Sequence, residues 1–330
     1  MQRYPSRRTI LLGSAAAAAT ATSRASAQSA KWPERPITLI HGFGAGGNAD
    51  VIARLVAEQL SQRIGQPVVV EPKPGAGGRI AAAYVAKSAP DGHTLAILPG
   101  GHAIAAAMFD GLPYDTAEDF SFISMLTDFP FLLVAHADNP ARLLKDLIAA
   151  AKVAPQPMIY GTAGNGTGQH LSGALFASMA GIKLQHLPFR GGALGSQELL
   201  GKNIDLLFET PTLLLELVKS GQLRALGVTG SKRFFALPDV PTIGETVANY
   251  ETSSWLGLAA PPKLPQDIAT RLHTEITGIL ADPKLLDRFK ALGNLPSLTS
   301  PDGFKSRVKS DIAKWTRVVA DAGIPRVRIQ

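Results

Sequence analysis

Two glycine-rich turns of the same design constrain the fold of this chain more than any other sequence feature. The first turn lies in residues 41–50, HGFGAGGNAD, after a short apolar run and before a helical pattern. The second lies in residues 160–171, YGTAGNGTGQHL, and again separates a short apolar run from a helical pattern. Each has the order strand, turn and helix, which is typical of α/β proteins.

Both turns have the composition of an anion-binding loop. Glycine adopts positive φ without strain, so such a turn can direct its backbone N–H groups inward, and the helix that follows adds a partial positive charge at its N-terminus. In open α/β sheets, ligands bind outside the carboxyl ends of the strands, where both turns fall. We therefore expect the two turns to face each other across a cleft and to hold an anion between them.

Short apolar runs alternate with amphipathic stretches along the rest of the chain, and this rhythm favours parallel sheets with helices on both faces. The predicted strands span residues 37–41, 68–71, 94–98, 131–135, 158–160, 183–187, 204–208, 225–228 and 254–260. The predicted helices span residues 49–63, 80–88, 143–151, 169–179, 192–200, 266–280, 284–292 and 301–322.

The order of these elements predicts two lobes. Residues 131–251 form the second lobe, and residues 28–130 with 252–330 form the first. The last three helices cannot build a sheet-centred lobe by themselves, so we expect them to pack on the first lobe. The chain then crosses twice, and we expect hinges near residues 128–130 and 250–254.

The N-terminus has the pattern of an export signal. Arg7 and Arg8 precede an apolar run over residues 10–21, and residues 25–27, ASA, form a small-x-small cleavage site. The run is shorter than the ~20 residues of a membrane-spanning helix. We therefore expect residues 1–27 to be removed and the protein to be periplasmic. Residues 6–11 also resemble a twin-arginine signal, so both export routes stay open.

Charge and cysteine content exclude several functions. Cleavage of residues 1–27 removes four arginines and no acid from a formal net charge of +7, which leaves +3. This charge is too small for a nucleic-acid-binding surface. The chain has no cysteine, so disulfides, thiolate metal sites and cysteine nucleophiles are excluded. The seven histidines are scattered without metal-ligand spacing, and we expect no metal site.

Seven motifs, in order, resemble one known family, the substrate-binding proteins of tripartite tricarboxylate transporters, also called Bug receptors. The motifs are FGAGGNAD (43–50), EPKPGAGG (71–78), APDGHTL (89–95), LPYD (112–115), YGTAGNG (160–166), PFRGG (188–192) and ALPDVPT (236–242). Three positions depart from the family pattern: His41-Gly42 replaces an apolar residue and Pro, Phe189-Arg190 replaces Tyr-Lys, and Glu209 replaces Asp. These departures bear on which ligand is bound.

The resemblance implies a type II periplasmic-binding-protein (Venus-flytrap) fold, an α/β fold with two lobes, each a central sheet flanked by helices. It further implies that a small carboxylate binds in the cleft, largely through backbone amides and ordered waters. The carboxylate would be delivered to the integral-membrane permease subunits of the transporter. We accordingly expect a monomeric receptor without enzymatic activity or cofactor.

The candidate ligand-binding residues come mainly from the two turns. They are Phe43, Ala45, Gly46, Gly47, Asn48 and Asp50 in the first turn, Thr162, Ala163, Gly164, Gly166 and Thr167 in the second, and His102, His170, Arg190, Gly191 and Glu209 elsewhere. For three of these the sequence leaves a structural role open. Asp50 could cap its helix instead of contacting the ligand, and His102 and His170 could be capping or core residues.

An exported NAD(P)-dependent oxidoreductase is the alternative. Gly42, Gly44 and Gly47 have the spacing of a dinucleotide-binding fingerprint, and Glu71 stands at the end of the next predicted strand, where a ribose-binding acid belongs. Against this alternative, Glu71 is followed at once by Pro72-Lys73-Pro74, and no acid/base constellation is evident.

Overall fold

A computed structural model describes residues 32–329. Every helix and strand named below belongs to one compact unit, which begins at Arg35. The predicted export signal, residues 1–27, lies outside the described residues. Within residues 32–329, no helix combines the length and apolar character that crossing a membrane requires.

Short strands and helices alternate along this unit. The strands are β1 (Ile37–His41), β2 (Val68–Pro72), β3 (Thr94–Pro99), β4 (Phe109–Asp110), β5 (Ser121–Phe129), β6 (Leu132–His136), β7 (Met158–Thr162), β8 (Leu184–Pro188), β9 (Leu206–Glu209), β10 (Leu223–Val228), β11 (Ser254–Ala260), β12 (Leu295–Pro296) and β13 (Val327–Arg328). The helices are α1 (Asn48–Ile64), α2 (Arg79–Ala86), α3 (Gly101–Met108), α4 (Leu144–Val153), α5 (Gly168–Ala180), α6 (Gly192–Leu200), α7 (Pro211–Lys219), α8 (Gln266–Leu280), α9 (Pro283–Ala291) and α10 (Pro301–Asp321).

The first lobe is built on a six-stranded sheet with the order β12-β5-β11-β3-β1-β2. β1 pairs in parallel with β2 and β3, so that Leu39 lies opposite Val70 and Leu95. β11 is antiparallel to both of its neighbours, β3 and β5. The C-terminal helices α8 and α10 pack against β5 of this sheet, and α10 also packs against α3.

The second lobe is built on a five-stranded sheet with the order β10-β6-β9-β7-β8. β7 pairs in parallel with β8 and β9, whereas β6 is antiparallel to β9 and β10. Both sheets are therefore mixed, which corrects the expectation of parallel sheets. The antiparallel strands flank the two crossings between lobes, where no helical crossover returns the chain to the same sheet.

Each sheet buries apolar side chains against its helices. In the first lobe, Phe304 of α10 is fully buried, and its ring centre lies 5.0 Å from that of Phe122 and 5.1 Å from that of Trp255. A Cβ atom at Gly257 would come within 2.2 Å of the Phe304 ring, so this position on β11 requires glycine. In the second lobe, Phe176 of α5 packs with Phe208 of β9.

The two crossing segments are hydrogen-bonded to each other through Thr229. The Phe131 N–H donates to Thr229 Oγ1 at 2.9 Å, and the Thr229 hydroxyl donates to the Thr252 carbonyl at 2.8 Å. All of these side chains are buried. The predicted hinges lie next to these bonds. The predicted lobe boundaries, at residues 130/131 and 251/252, remain a prediction.

Candidate functional site

The first glycine-rich turn, between β1 and α1, closes on a carboxylate of its own helix. Asp50 is buried; its Oδ2 accepts the Gly46 N–H at 2.9 Å and the Arg54 Nε–H at 3.1 Å, and its Oδ1 accepts from His41 Nε2 at 3.1 Å. Gly46 has φ of +77°, which directs this N–H towards the helix. Asp50 therefore holds the shape of the turn.

The pKa values of the two buried partners, His41 and Asp50, are both lowered, so both side chains are deprotonated at neutral pH. Burial lowers the pKa of His41, and the attraction of Asp50 offsets only part of this shift. Burial alone would raise the pKa of Asp50, but the Arg54 guanidinium, the Gly46 N–H and His41 together bring it below its usual value. Asp50 is therefore ionised at neutral pH and accepts the bonds that fix the turn.

The second glycine-rich turn, between β7 and α5, is held by threonine and histidine side chains. Thr167 caps α5, because its Oγ1 accepts the His170 N–H at 3.3 Å, and its hydroxyl donates to the Gly164 carbonyl at 2.8 Å. The Gly166 N–H points at His170 Nδ1 at 3.3 Å. Thr162 Oγ1 accepts the Gly164 N–H at 3.2 Å, so the side chains of Thr162 and His170 both bond to backbone N–H groups of the turn.

A cavity of about 220 Å³ lies between the two turns and is lined by residues of both lobes. The first residue of each of four helices lines it: Asn48 of α1 and Gly101 of α3 from the first lobe, and Gly168 of α5 and Gly192 of α6 from the second. The first N–H groups of a helix have no partner within the helix, and the helix dipole adds positive charge there. Four positive helix ends thus converge on one cavity.

Most of the cavity wall is apolar. Its large apolar side chains are Phe43, Pro99, Phe129, Phe131, Leu194, Leu213 and Leu256. Among the lining residues, the charged side chains are Glu209, which is buried at the end of β9, and Arg190, which is exposed. The cavity therefore offers an apolar body, positive helix ends and one buried carboxyl group to a bound molecule.

The structure brings together some of the sequence-predicted site residues and places others elsewhere. Those that line the cavity are Phe43, Ala45, Gly47, Asn48, Ala163, Thr167, Arg190, Gly191 and Glu209. Those outside its lining are Gly46, Asp50, His102, Thr162, Gly164, Gly166 and His170. Gly46, Asp50, Thr162, Gly166 and His170 shape the turns instead.

His102 lies in the core of the first lobe. Its Nε2 is bonded to the Thr116 carbonyl at 2.8 Å, and its ring stacks on Tyr114 with 5.9 Å between centroids. Burial lowers the pKa of His102 to about 4, so the ring is neutral at physiological pH. Of the two roles that the sequence left open for His102, its contacts are those of a core residue.

Sequence reasoning missed several lining residues, of which Gln169, Thr210 and Ser254 are the polar ones. Gln169 Nε2 donates to Glu209 Oε1 at 3.1 Å, and the Thr210 N–H donates to the same oxygen at 2.7 Å. Thr210 precedes Pro211 at the start of α7. A threonine N-cap before a proline is a recognisable helix start, so this signal was present in the sequence.

A buried polar network joins the lobes beside the cavity. Asn294, which is fully buried, donates from Nδ2 to Asn48 Oδ1 at 3.0 Å and to Thr212 Oγ1 at 3.0 Å. Thr212 of α7 belongs to the second lobe, and its hydroxyl donates to Asn48 Oδ1 at 2.7 Å. The residue that begins α1 is therefore tied directly to the opposite lobe.

A second cavity, of about 240 Å³, lies against the same two turns. It shares Phe43, Gly44, Ala163, Arg190 and Gly191 with the first cavity. Its other lining residues include Arg79, whose guanidinium stacks over Phe109 at 3.5 Å from the ring centre. This cavity has no carboxylate side chain among its lining residues.

The geometry gives no role to Glu71 as a ribose ligand. Its Oε1 pairs with Lys73 Nζ at 2.5 Å, and Glu71 lines neither cavity. The Gly46 N–H, which a dinucleotide phosphate would need, is occupied by Asp50. Within residues 32–329, no three His, Asp or Glu side chains come close enough together to hold a metal ion.

Solved structures of known proteins share this fold. Rpa4515 from R. palustris, solved with adipate, is 34% identical with a TM-score of 0.86, and the match covers 90% of this chain and 100% of that chain. The periplasmic binding protein BugD is 31% identical with a TM-score of 0.85, over 90% and 100% of the two chains. MatC (Rpa3494) from Rhodopseudomonas palustris, solved with malate, is 29% identical with a TM-score of 0.82, over 87% and 100%.

These similarities confirm the predicted two-lobed periplasmic-binding-protein fold, and they lend no support to the oxidoreductase alternative. At the level of sequence, the profile of the tripartite tricarboxylate transporter family receptor, TctC, matches residues 52–324. The chain therefore belongs to the tripartite tricarboxylate transporter family of receptors.

Proposed function

We propose that this chain is a periplasmic receptor that captures a small carboxylate in the cavity between its lobes. It would then deliver the carboxylate to the permease subunits of a tripartite tricarboxylate transporter, without enzymatic activity and without a cofactor. The convergence of four helix N-termini, from both lobes, on one cavity carries this proposal. The adipate and malate bound by its relatives support the same chemistry.

The helix ends can bind a carboxylate without a cationic partner. Each presents N–H groups that lack an intrahelical partner and carries roughly half a positive charge. Inside a closed cleft, where water is excluded, these N–H groups interact with an anion more strongly than they would in water. Asn48, Gly168 and Gly192 begin helices from opposite lobes, so a bound carboxylate would hold the lobes together.

Closure would follow from the crossing segments. The segment between β5 and β6 and the segment that leads into β11 meet at Thr229, so a rotation there would change the distance between the lobes. The contacts of Thr212 with Asn48 and with Asn294 span the two lobes and would form on closure. A ligand that contacts helix ends of both lobes would favour the closed state. The interlobe hydrogen bonds would favour the same state.

A thermal-shift screen tests the proposed function. The screen includes mono-, di- and tricarboxylates, amino acids and aromatic acids, with NAD(H) and NADP(H) as nucleotides. A ligand at about 100 times its Kd stabilises the native state by roughly 2.7 kcal/mol, which a melting curve resolves readily. We expect at least one carboxylate to raise the Tm and no nucleotide to do so. A nucleotide shift without any response to acids would overturn the proposal.

A further inference from the structure

Glu209 is the one carboxylate side chain among the residues that line the main cavity. It ends β9, the strand between β6 and β7 in the five-stranded sheet, and is only 2% exposed. The strand therefore fixes its backbone, and the side chain stands at the deep, second-lobe side of the ligand space. Any molecule that fills this cavity therefore contacts a buried carboxyl group.

Within residues 32–329, the hydrogen-bond donors to the Glu209 carboxyl group are neutral, and no cationic side chain pairs with it. Oε1 accepts the Thr210 N–H at 2.7 Å and the Gln169 amide at 3.1 Å, and the same amide lies 3.3 Å from Oε2. A Cβ atom at position 192 would lie 2.1 Å from Oε2, so Gly192 provides the space that this oxygen occupies. Both donors are polar but uncharged.

A second carboxylate would be a poor neighbour for this group. Burial raises the pKa of Glu209, and the bonds from Thr210 and Gln169 offset only part of that rise. Two carboxylates that share a buried site cannot both ionise without strong repulsion, so one of them must take up a proton. A hydroxyl or ammonium group, in contrast, could donate a hydrogen bond to Glu209 and so stabilise the charge of its carboxylate.

On the basis of the proposed function, we infer that Glu209 determines specificity and that the ligand is a carboxylate with a hydrogen-bond donor at its far end. The ligand carboxylate would lie at the starts of α1 and α5, and its apolar body would lie against Phe43, Phe129 and Phe131. A hydroxyl or ammonium group would reach Glu209, which lies beside Gly192 at the start of α6. Plain α,ω-dicarboxylates such as adipate, which the relative Rpa4515 binds, would then be disfavoured here.

Calorimetry with a matched series of six-carbon acids tests this inference. The probes are hexanoate, adipate, 6-hydroxyhexanoate and 6-aminohexanoate, titrated near neutral pH into the full mature protein and into the Glu209→Gln variant. We expect the parent to bind the hydroxy or the amino acid at least tenfold more tightly than adipate, because only these two can donate to Glu209. In Glu209→Gln, where the repulsion is absent, adipate should bind at least tenfold more tightly than it binds the parent.

Glu216→Gln is the matched control, since it removes one acid from the same lobe at a side chain that is 86% exposed and does not line the cavity. Its preference among the four acids should equal that of the parent. Circular dichroism and melting without ligand would show whether Glu209→Gln is folded; if it is not, Glu209→Asp, which keeps the acid, should keep the preference for donors over adipate.

The outcomes separate this inference from the proposed function. If the parent binds adipate as tightly as the hydroxy and amino acids, the inference about Glu209 is wrong, although the chain remains a carboxylate receptor. The same holds if a folded Glu209→Gln variant keeps the preference of the parent. If neither this series nor the wider screen contains a carboxylate that binds, the proposed function fails as well.

Discussion

The Asp50 carboxylate accepts the Gly46 N–H at 2.9 Å, so the first glycine-rich turn binds an acid of its own helix. Arg54 and His41 contact the same carboxylate from either side. The inward-facing N–H of this turn is therefore already occupied, and it is the start of α1 that faces the cavity. Asp50 thus has the structural role that the sequence left open beside ligand contact.

Replacing Asp50 with Ala should lower the free energy of unfolding, and its effect on carboxylate binding should be the smaller one. The change leaves the Gly46 N–H and His41 without their buried partner, and a loss of about 1–3 kcal/mol in unfolding free energy is expected from such unsatisfied groups. Denaturant unfolding measures this loss. Asp302→Ala removes an exposed first-turn acid from α10 and serves as the control. Unchanged stability with abolished carboxylate binding would show that Asp50 contacts the ligand after all.

The sequence determined most of the elements because their apolar patterns are local. Strand β1, helix α6, strand β11 and helix α8 have the predicted bounds, and the C-terminal helices pack on the first lobe as expected. Six elements were missed: the long strand β5, the two-residue strands β4, β12 and β13, and the helices α3 and α7. Helix α3 is buried on nearly all sides and consists largely of alanine and glycine, so it lacks the alternation of polar and apolar residues that identifies a surface helix.

The stacked pair His170 and His186 should make stability fall in mild acid. Their rings lie 4.0 Å apart. Burial lowers the pKa of His170 to about 4, and burial with the charge of His170 lowers that of His186 to about 3. In the unfolded chain both titrate near 6.5. The unfolded state therefore binds more protons than the folded state below about pH 6.5. The free energy of unfolding thus falls as the pH drops below about 6.5, and none of it is lost at higher pH through these two histidines.

The slope for each histidine is at most about 1.4 kcal/mol per pH unit. Burial also lowers the pKa of His41 and His102, which adds to the loss in the same direction. Replacing His186 with Gln should therefore reduce the slope between pH 6.5 and about 5 without abolishing it. Unfolding free energies measured at several pH values provide the test. Equal slopes in the parent and the variant would mean that His186 is accessible to protons in the folded state.

Removing Asn294 should weaken the closed state. Its side chain bonds to Asn48 in its own lobe and to Thr212 in the opposite lobe, and Asn294→Ala removes the oxygen that accepts from the Asn48 amide and the buried Thr127 hydroxyl. We expect a loss of about 1–3 kcal/mol in stability and a weaker affinity for any carboxylate that stabilises the protein. Asn203→Ala, at an exposed position in the second lobe, should change neither. Parent-like affinity in Asn294→Ala would show that the bond from Asn294 to Thr212 does not contribute to closure.

The candidate site was predictable only in part, because lining a cavity depends on three-dimensional packing. The glycine-rich turns led to Asn48 and Thr167, which do line it, but also to Gly46 and Gly166, which shape the turns from outside. The turn before α6 was also signalled, because Arg190 and Gly191 were predicted as site residues, whereas the start of α3 at the cavity had no local sequence signal. Its position there depends on the order of strands in the two sheets and on the packing of the lobes.

The most direct measurement is a crystal structure of the protein with the carboxylate that binds most tightly in the screen. We predict that a carboxylate oxygen lies about 2.7–3.2 Å from N–H groups at the start of α1 in one lobe and of α5 or α6 in the other, directly or through one water. A carboxylate that contacts one lobe alone, or that lies beside Arg79 in the neighbouring cavity, would contradict the proposed capture between converging helix ends.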